Sequence, residues 1–403
     1  MKTHFNFIRS TSLVLFVGLF FAACGGDDKA KYIEFSKSLE NAVNRGEAVF
    51  FNQHFDLQQI LSDVVTTIVA PTNFQEGFVL GVKENLDVGT QISGSLGIKG
   101  NYTFLRLLNY PEKPTALFRI VSEQEGINYH AIQLGKNSQD DIKIKDFYIY
   151  MGGMAFSETI RRLYLSSLTE IQNELSLEDM SAEDYAFVIH MSMVDSIGLL
   201  TQSRQNEKAL STISRLPEIL QRDKMILMMR TNLAYNTSPE AYQKAITDFK
   251  IYYPEDPVVN LIQLDFALTD KKYETAFTLM DELDAAIGGD PYLKVMKADI
   301  YNMEGNDKMA EALLRRAIKE EPEGEEAYWS MIDLLLRQER HSEVTALFPQ
   351  MEKHFKVNPA EFLLEDGYDE FWISEAYQVW ESKHPIPESL KTPSREVRVI
   401  QIP

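Results

Sequence analysis

The apolar positions of this chain follow two different rhythms. From roughly Ser181 to Lys356 they recur at helical spacing, in paired helices of similar layout. A small residue marks the second helix of each pair at Ala209, Ala245, Ala276, Ala310 and Val344, in steps of 36, 31, 34 and 34 residues. The clearest unit runs from Asp290 to Pro322. Leu293, Met296, Ile300 and Met303 form one stripe, and Ala310, Leu313, Leu314, Ala317 and Ile318 form the second. Gly305-Asn306 separates them, a residue suited to left-handed backbone followed by a helix cap. Glu321-Pro322 ends the unit, because proline restricts the residue before it and cannot continue a helix. The next unit repeats the plan with Tyr328, Met331, Ile332 and Leu335, then Val344, Leu347, Phe348 and Met351. The preceding one has Leu261, Leu264, Ala267 and Leu268, then Tyr273, Ala276, Met280 and Leu283. A single hairpin cannot bury both faces, so a sustained period predicts a stacked array.

Between about Lys31 and Leu168 the rhythm changes. Tyr32, Phe35, Leu39 and Val43 predict a first helix, ended at Asn44-Arg45-Gly46. A second helical run covers Glu47 to Val65 with an interruption near Asp56, and Thr72-Asn73 are placed to cap a third through Asn85. Gly94, Gly97 and Gly100 read as a loop. Strands follow at Tyr102 to Tyr110, Ala116 to Ser122, Ile127 to Leu134 and Ile142 to Met151, separated by short turn-rich breaks that predict an antiparallel meander. A helix from Phe156 to Leu175, capped by Ser157, leads into the array. Beyond it, Phe371, Trp372, Glu375, Ala376 and Val379 predict a helix that covers the last repeat, within an aromatic stretch that also holds Phe362, Tyr368, Tyr377 and Trp380. Pro385, Pro387, Pro393 and Pro403 predict an extended tail.

The 34-residue unit resembles the tetratricopeptide repeat. Ala298 and Tyr301 stand at that family's small and aromatic positions of the first helix, and Ala310, Ala317 and Pro322 at its small, small and proline positions. Lys294 and Lys297 depart from the large apolar residues usual there, and Arg340 replaces the turn residues of the last unit. The resemblance implies a scaffold for protein or peptide partners. The order of helices then strands, with the Arg45-Gly46-Glu47-Ala48 break, resembles the nuclear-transport-factor-two-like (cystatin-like) cone, some of whose members enclose a pocket. The expected fold is therefore an α+β N-terminal domain, helices plus antiparallel meander, followed by an all-α helical-repeat (tetratricopeptide-like) solenoid.

At the N-terminus, Lys2 and Arg9 precede an almost wholly apolar run from Thr11 to Ala23, about 13 residues, the length of a signal-peptide core rather than a membrane span. Ala22-Ala23-Cys24-Gly25 then resembles the lipobox of bacterial lipoproteins, with Phe21 where leucine is usual. That resemblance implies lipidation of Cys24 and an envelope location, most simply the outer membrane, at its periplasmic face or the cell surface. Several acyl chains hold a protein firmly, since each buried methylene is worth about 0.8 kcal/mol. The segmentation is then 1–23 signal peptide, 24–30 tether, 31–155 cone-like domain, 156–180 linker helix, 181–357 repeats, 358–384 capping helix and 385–403 tail.

Charge narrows the partners. The net charge is −20, and removing the first 23 residues leaves −22, a poor surface for nucleic acid. With one cysteine there is neither an internal disulfide nor a cysteine zinc site. The seven histidines include no metal-ligand spacing, and no cofactor is expected. On the array, Lys294, Lys297, Arg315 and Arg316 are candidate concave-face cations for a carboxylate or acidic peptide. In the first domain, His54, Asp56, Tyr102 and His130 are candidate pocket residues for acid–base chemistry, although no spacing rule selects them. Met225, Met228 and Met229 are expected to pack within the second hairpin. The expected function is a membrane-anchored, non-catalytic protein- or peptide-binding scaffold. The alternative is a small-ligand-binding or enzymatic pocket in the N-terminal domain, positioned by the repeats.

Overall fold

The computed structural model describes residues 21–68, 70–97, 100–122, 126–175, 180–254, 256–355 and 369–384, without the side chains of 21–27, 172–174 and 369. The apolar core of the expected signal peptide, the tail from 385 onward, and Phe362 and Tyr368 of the aromatic stretch lie outside these residues, apart from the backbone at Phe21 to Ala23. The chain divides into two compact units, residues 1–265 and 266–403.

The first unit opens with α1 (Phe21–Asn44), whose backbone includes the expected tether. Tyr32, Leu39 and Val43 are buried and Phe35 packs beside them. The helix closes on Gly46 at φ 70°, with Glu47 N–H bonded to Ala42 O, and the Asn44 side chain exchanges two 2.8 Å hydrogen bonds with the backbone of Tyr102. Next come α2 (Ala48–His54) and α3 (Leu57–Thr66). The break between them has a tertiary cause: Phe55 bridges Ile144 in parallel, and Asp56 N–H donates to Ile144 O at 2.9 Å.

In α4 (Thr72–Asn85) the capping position is Pro71, whose carbonyl takes Phe74 N–H and Gln75 N–H; Thr72 and Asn73 already lie inside the helix. A further helix, α5 (Val88–Ser95), precedes the glycine stretch and takes in its first glycine, Gly94, with Asp87 accepting from Thr90 N. Val88, Ile92 and Leu96 are its buried stripe, and Gly89 lies so close to Ala48 O that a Cβ would sit 2.4 Å from it. Glycine is needed there for close approach rather than for looseness.

The sheet runs β1 (Asn101–Leu108), β2 (Thr115–Ser122), β3 (Gly126–Lys136), β4 (Ile142–Ile149) and β5 (Met154–Ala155), all antiparallel and in sequence order. Its helix-facing side chains include Ala116, Phe118, Ile120, Ile132, Leu134 and Phe147. Two register shifts, at Phe104/Arg106 and Gln133/Leu134, bend it. Helix α6 (Phe156–Ser167) continues as a 3-10 turn over Leu168–Glu174. Ser157 is not its cap: Ala155 precedes the helix, and Ser157 donates its backbone N–H (3.1 Å) and hydroxyl (2.5 Å) to Asp146 of β4.

The unit continues through α7 (Ala182–Ile189), α8 (Met191–Gln202), α9 (Asn206–Ile213), α10 (Glu218–Gln221), α11 (Lys224–Tyr235) and α12 (Pro239–Tyr252) into α13 (Val258–Thr269), within which the division between units falls. One buried cluster extends from Tyr32 through the sheet to Leu233, so α7 to α11 share the core of the α+β domain, while Ile246, Phe249, Val258 and Val259 of α12 and α13 gather with Leu227 in a separate cluster. Met228 extends this beyond its own hairpin, since its sulfur occupies the space a Cβ on Gly153 would need.

The second unit holds α14 (Tyr273–Ile287), α15 (Pro291–Met303), α16 (Asp307–Glu320), α17 (Glu325–Arg337), α18 (His341–Phe355), α19 (Asp369–Trp372) and α20 (Glu375–Lys383). The small-residue period is buried at all five positions. In α15 the buried residues are Leu293, Val295, Ala298 and Ile300, whereas Met303 is 69% exposed because the helix face turns outward before the hairpin. Phe371, Tyr377 and Trp380 bury against Phe348 and its neighbours, which makes α19 and α20 the cover of the last hairpin. Ser374 caps α20, and Val379 faces out at 50% exposure.

One turn geometry recurs between paired helices. Lys271, Gly305 and Glu339, spaced by 34, take φ of 56°, 76° and 56°, and the following N–H bonds five residues back: Lys272 to Ala267 O, Asn306 to Tyr301 O and Arg340 to Leu335 O. Arg204 repeats it in the first unit at φ 55°. This is the left-handed helix closure in which glycine is favoured, and Gly305 is the glycine among these four. Where Asn306 caps α16 by accepting from Met309 N–H, Arg340 instead clamps helices together, its guanidinium bonded to Glu311 at 2.6 Å and Glu343 at 2.7 Å.

Glu339→Gly and Lys271→Gly are therefore expected to stabilise the protein by about 0.5–1 kcal/mol each, and Gly305→Ala to destabilise it by about 1 kcal/mol; chemical denaturation measures all three, and a destabilised Glu339→Gly would contradict the turn assignment. Two carboxyls set opposite pH dependences. Hydrogen bonding to Arg340 pulls Glu311 down to about 2. A depressed folded pKa contributes stability above the unfolded value near 4.5 and loses it as pH falls toward 2, so the destabilisation by Arg340→Ala should shrink over that window. Burial pushes Asp299 of α15 up to about 6, against a hydrogen bond with Ser330 that lowers it. A raised folded pKa favours folding below about 3.8 and loses that advantage as pH rises through 6; Asp299→Asn should stabilise at pH 7.5 and do little at pH 4.

Candidate functional site

The four candidate pocket residues do not form one constellation. Tyr102 and His130 meet in the core of the sheet domain, the phenol oxygen 3.4 Å from Nδ1. Neighbouring strands place them: Tyr102 pairs with Ile120 on β2, and Phe118 of β2 pairs with His130 on β3. Burial pulls the His130 imidazole down to about 3 and pushes the Tyr102 phenol up. An imidazole kept neutral and buried packs among rings, here Tyr102 and Phe147. His54 stands elsewhere, on α2, with Nδ1 donating to Phe50 O at 2.8 Å and its ring between Phe35 and Phe50. It borders an open groove of about 460 Å³ with Lys31, Lys136 and Lys143. Asp56 accepts from Lys145 Nζ at 2.7 Å. Cys24 lies in α1 by its backbone, and its side chain is outside the described residues.

The candidate cations of the array are all engaged. Lys294 pairs with Glu320 at 2.8 Å and Lys297 with Asp281 at 2.5 Å. Arg315 binds Glu311 at 2.6 Å, and Arg316 binds Glu320 at 2.8 Å. In a chain this acidic, carboxylates one helical turn away or on the adjacent helix reach each cation first. These four are staples between and along helices and do not form an open basic patch.

The larger recess belongs to the first unit, where α6, α7, α10 and the corner after α12 enclose a cleft of about 650 Å³. Arg161 of α6 pairs with Asp184 of α7, whose buried carboxylate also accepts from the Ser181 hydroxyl at 2.7 Å. Arg162 pairs with Asp223 and lies over the Phe187 ring, 5.0 Å from its centroid. Arg222 pairs with Glu218 and covers the Tyr252 ring at 5.3 Å.

A second groove of about 440 Å³ adjoins this cleft, lined by Tyr148, Tyr150, Tyr252, Tyr253, Pro254, Asp256 and Pro257. Tyr252 and Tyr253 line both recesses. Lys224, the first residue of α11, packs on two of these tyrosines. Its ammonium lies over the Tyr148 ring at 5.3 Å and the Tyr253 ring at 5.0 Å, and it pairs with Asp256. The Tyr148 hydroxyl donates to Asp256 at 3.1 Å, and burial beside that carboxylate raises its pKa. Tyr253 donates its hydroxyl to Arg222 O at 3.3 Å. The groove thus presents ring faces while its two central hydroxyls are tied inward.

Reading the sequence in order does not reveal this site. Tyr148 and Tyr253 are more than a hundred residues apart, and only the local Tyr252-Tyr253-Pro254 run, followed by Pro257, marks its position. Among the described residues, no three histidine, cysteine or carboxylate side chains gather where they would hold a metal ion, and no helix is long and apolar enough to cross a membrane.

No family model matches this chain, and no curated protein matches it. Among solved structures, the crystal structure of PilW, described as a widely conserved type IV pilus biogenesis factor, matches with a TM-score of 0.30 and 14% identity, covering 50% of this chain and 96% of that one. Similarity at that level carries no argument about fold or function.

Proposed function

We propose that this protein is a non-catalytic binding scaffold of the bacterial cell envelope, anchored in the outer membrane through a lipid on Cys24, that holds a segment of a partner protein. The observation that carries the binding reading is the joined cleft and tyrosine groove of the first unit, whose walls offer aromatic faces and charge pairs. Helical-repeat scaffolds present such recesses on rigid elements, and here α7 and α10 of the recess share one core with the sheet domain. The helices-then-meander order of that domain is what supports a cone-like fold similar to the nuclear-transport-factor-two-like family. Anchoring rests on the apolar run ending Ala22-Ala23-Cys24, and the net charge of −20 supports protein rather than nucleic acid as partner.

Two measurements test these parts separately. In cells fed an alkyne fatty acid, the wild-type chain should become labelled and sediment with membranes, whereas Cys24→Ser should lose both properties; labelled Cys24→Ser would refute the anchor. A photo-crosslinking amino acid placed singly at Tyr252, Leu199 or Met303, which are 42%, 64% and 69% exposed, should yield discrete heavier species from at least one site. If none forms at any of them, the scaffold reading fails.

A further inference from the structure

The walls of the recess specify the chemistry of what fits there. The cleft is lined by five carboxylates and three guanidinium groups. Asp184, Asp223 and Glu218 each take one arginine. That leaves Glu183 without an ion pair among the described residues and Glu158 with only a 3.7 Å contact to Arg162. The recess therefore carries an excess of negative charge on the side of α6 and α7. The adjoining groove carries ring faces, and the cations beside it already lie on them: Arg222 over Tyr252, and Lys224 over Tyr148 and Tyr253. A tyrosine face attracts a cation through its ring quadrupole, and aromatic-lined grooves accept proline in its extended helix at low entropic cost.

A neutral glycan gains nothing from the uncompensated charge of Glu158 and Glu183, and the Tyr148 and Tyr253 hydroxyls are engaged within the protein. An acidic segment would meet uncompensated carboxylates. We propose that the joined recess binds an extended, proline-containing segment of a partner protein that carries a basic side chain. The proline lies on the tyrosine groove, and the cation enters the cleft toward Glu158 and Glu183. This deepens the scaffold reading and depends on it, but it places the contact in the first unit and gives the partner a charge.

The test uses the purified full-length mature protein in detergent and fluorescein-labelled nine-residue peptides of alternating proline and arginine, with glutamine and glutamate versions and a chitin hexasaccharide as competitor. The arginine peptide should bind, the glutamine peptide more weakly and the glutamate peptide not at all, by fluorescence anisotropy. Tyr252→Ala and Glu183→Gln, both at exposed positions, should each weaken arginine-peptide binding about fivefold. Glu304→Gln, an exposed acid of the second unit, should leave it unchanged. Equal weakening by Glu304→Gln would mean diffuse attraction to an acidic protein, and that result overturns the proposal. So would equal binding of the glutamate peptide, displacement by the hexasaccharide, or binding indifferent to Tyr252→Ala. If crosslinks form at Tyr252 while the arginine peptide fails to bind, the ligand chemistry is wrong and the scaffold reading stands; loss of crosslinks at every position removes the scaffold reading itself.

Discussion

A helical hairpin has two apolar faces and can turn only one of them toward its own partner helix. That limitation shapes both units. In the second, α15 with α16 and α17 with α18 bury against one another, and the last hairpin would expose Phe348 and Met351 without the cover supplied by Phe371, Tyr377 and Trp380. Leaving a phenylalanine and a methionine exposed there would forgo about 1.5–3 kcal/mol of burial for each. In the first unit the same need is met differently. The early repeat helices share one core with the α+β domain, and Met228 reaches the turn at Gly153.

The turn between paired helices is the second constraint. Its left-handed residue is imposed by the geometry of closure and recurs at Arg204, Lys271, Gly305 and Glu339 whether or not the residue suits it. Glycine fits this conformation, whereas the other three hold it because tertiary packing outweighs a local cost of about 1 kcal/mol. Where the capping asparagine is missing, Arg340 connects Glu311 and Glu343 and thereby joins consecutive hairpins.

Acidity gives the surface its logic. With 60 acidic and 40 basic side chains, the cations noted on the array are consumed as staples. What remains unmatched in the largest cleft described is carboxylate, next to tyrosine faces that already attract the cations beside them.

Much of the fold is legible in the chain because it depends on short-range pattern. The 34-residue step, the Gly305-Asn306 break, the four long strands and the covering aromatic helix all follow from apolar spacing and turn chemistry within a few tens of residues. Helix α5 was obscured because its glycines, one of them pressed against Ala48 O, look like loop composition, although Val88, Ile92 and Leu96 carry a helical stripe. The interruption at Asp56 is visible locally, but its cause, a backbone bond to Ile144, is not. Tertiary structure alone decided the site. It paired Tyr102 with His130 and left His54 and Asp56 with other partners; it neutralised the array's cations, and it brought Tyr148 beside Tyr253. Periodicity reports which face of an element is buried. Which charge meets which, and which rings share a groove, depends on contacts between residues far apart in the chain, and those are set only when the elements pack.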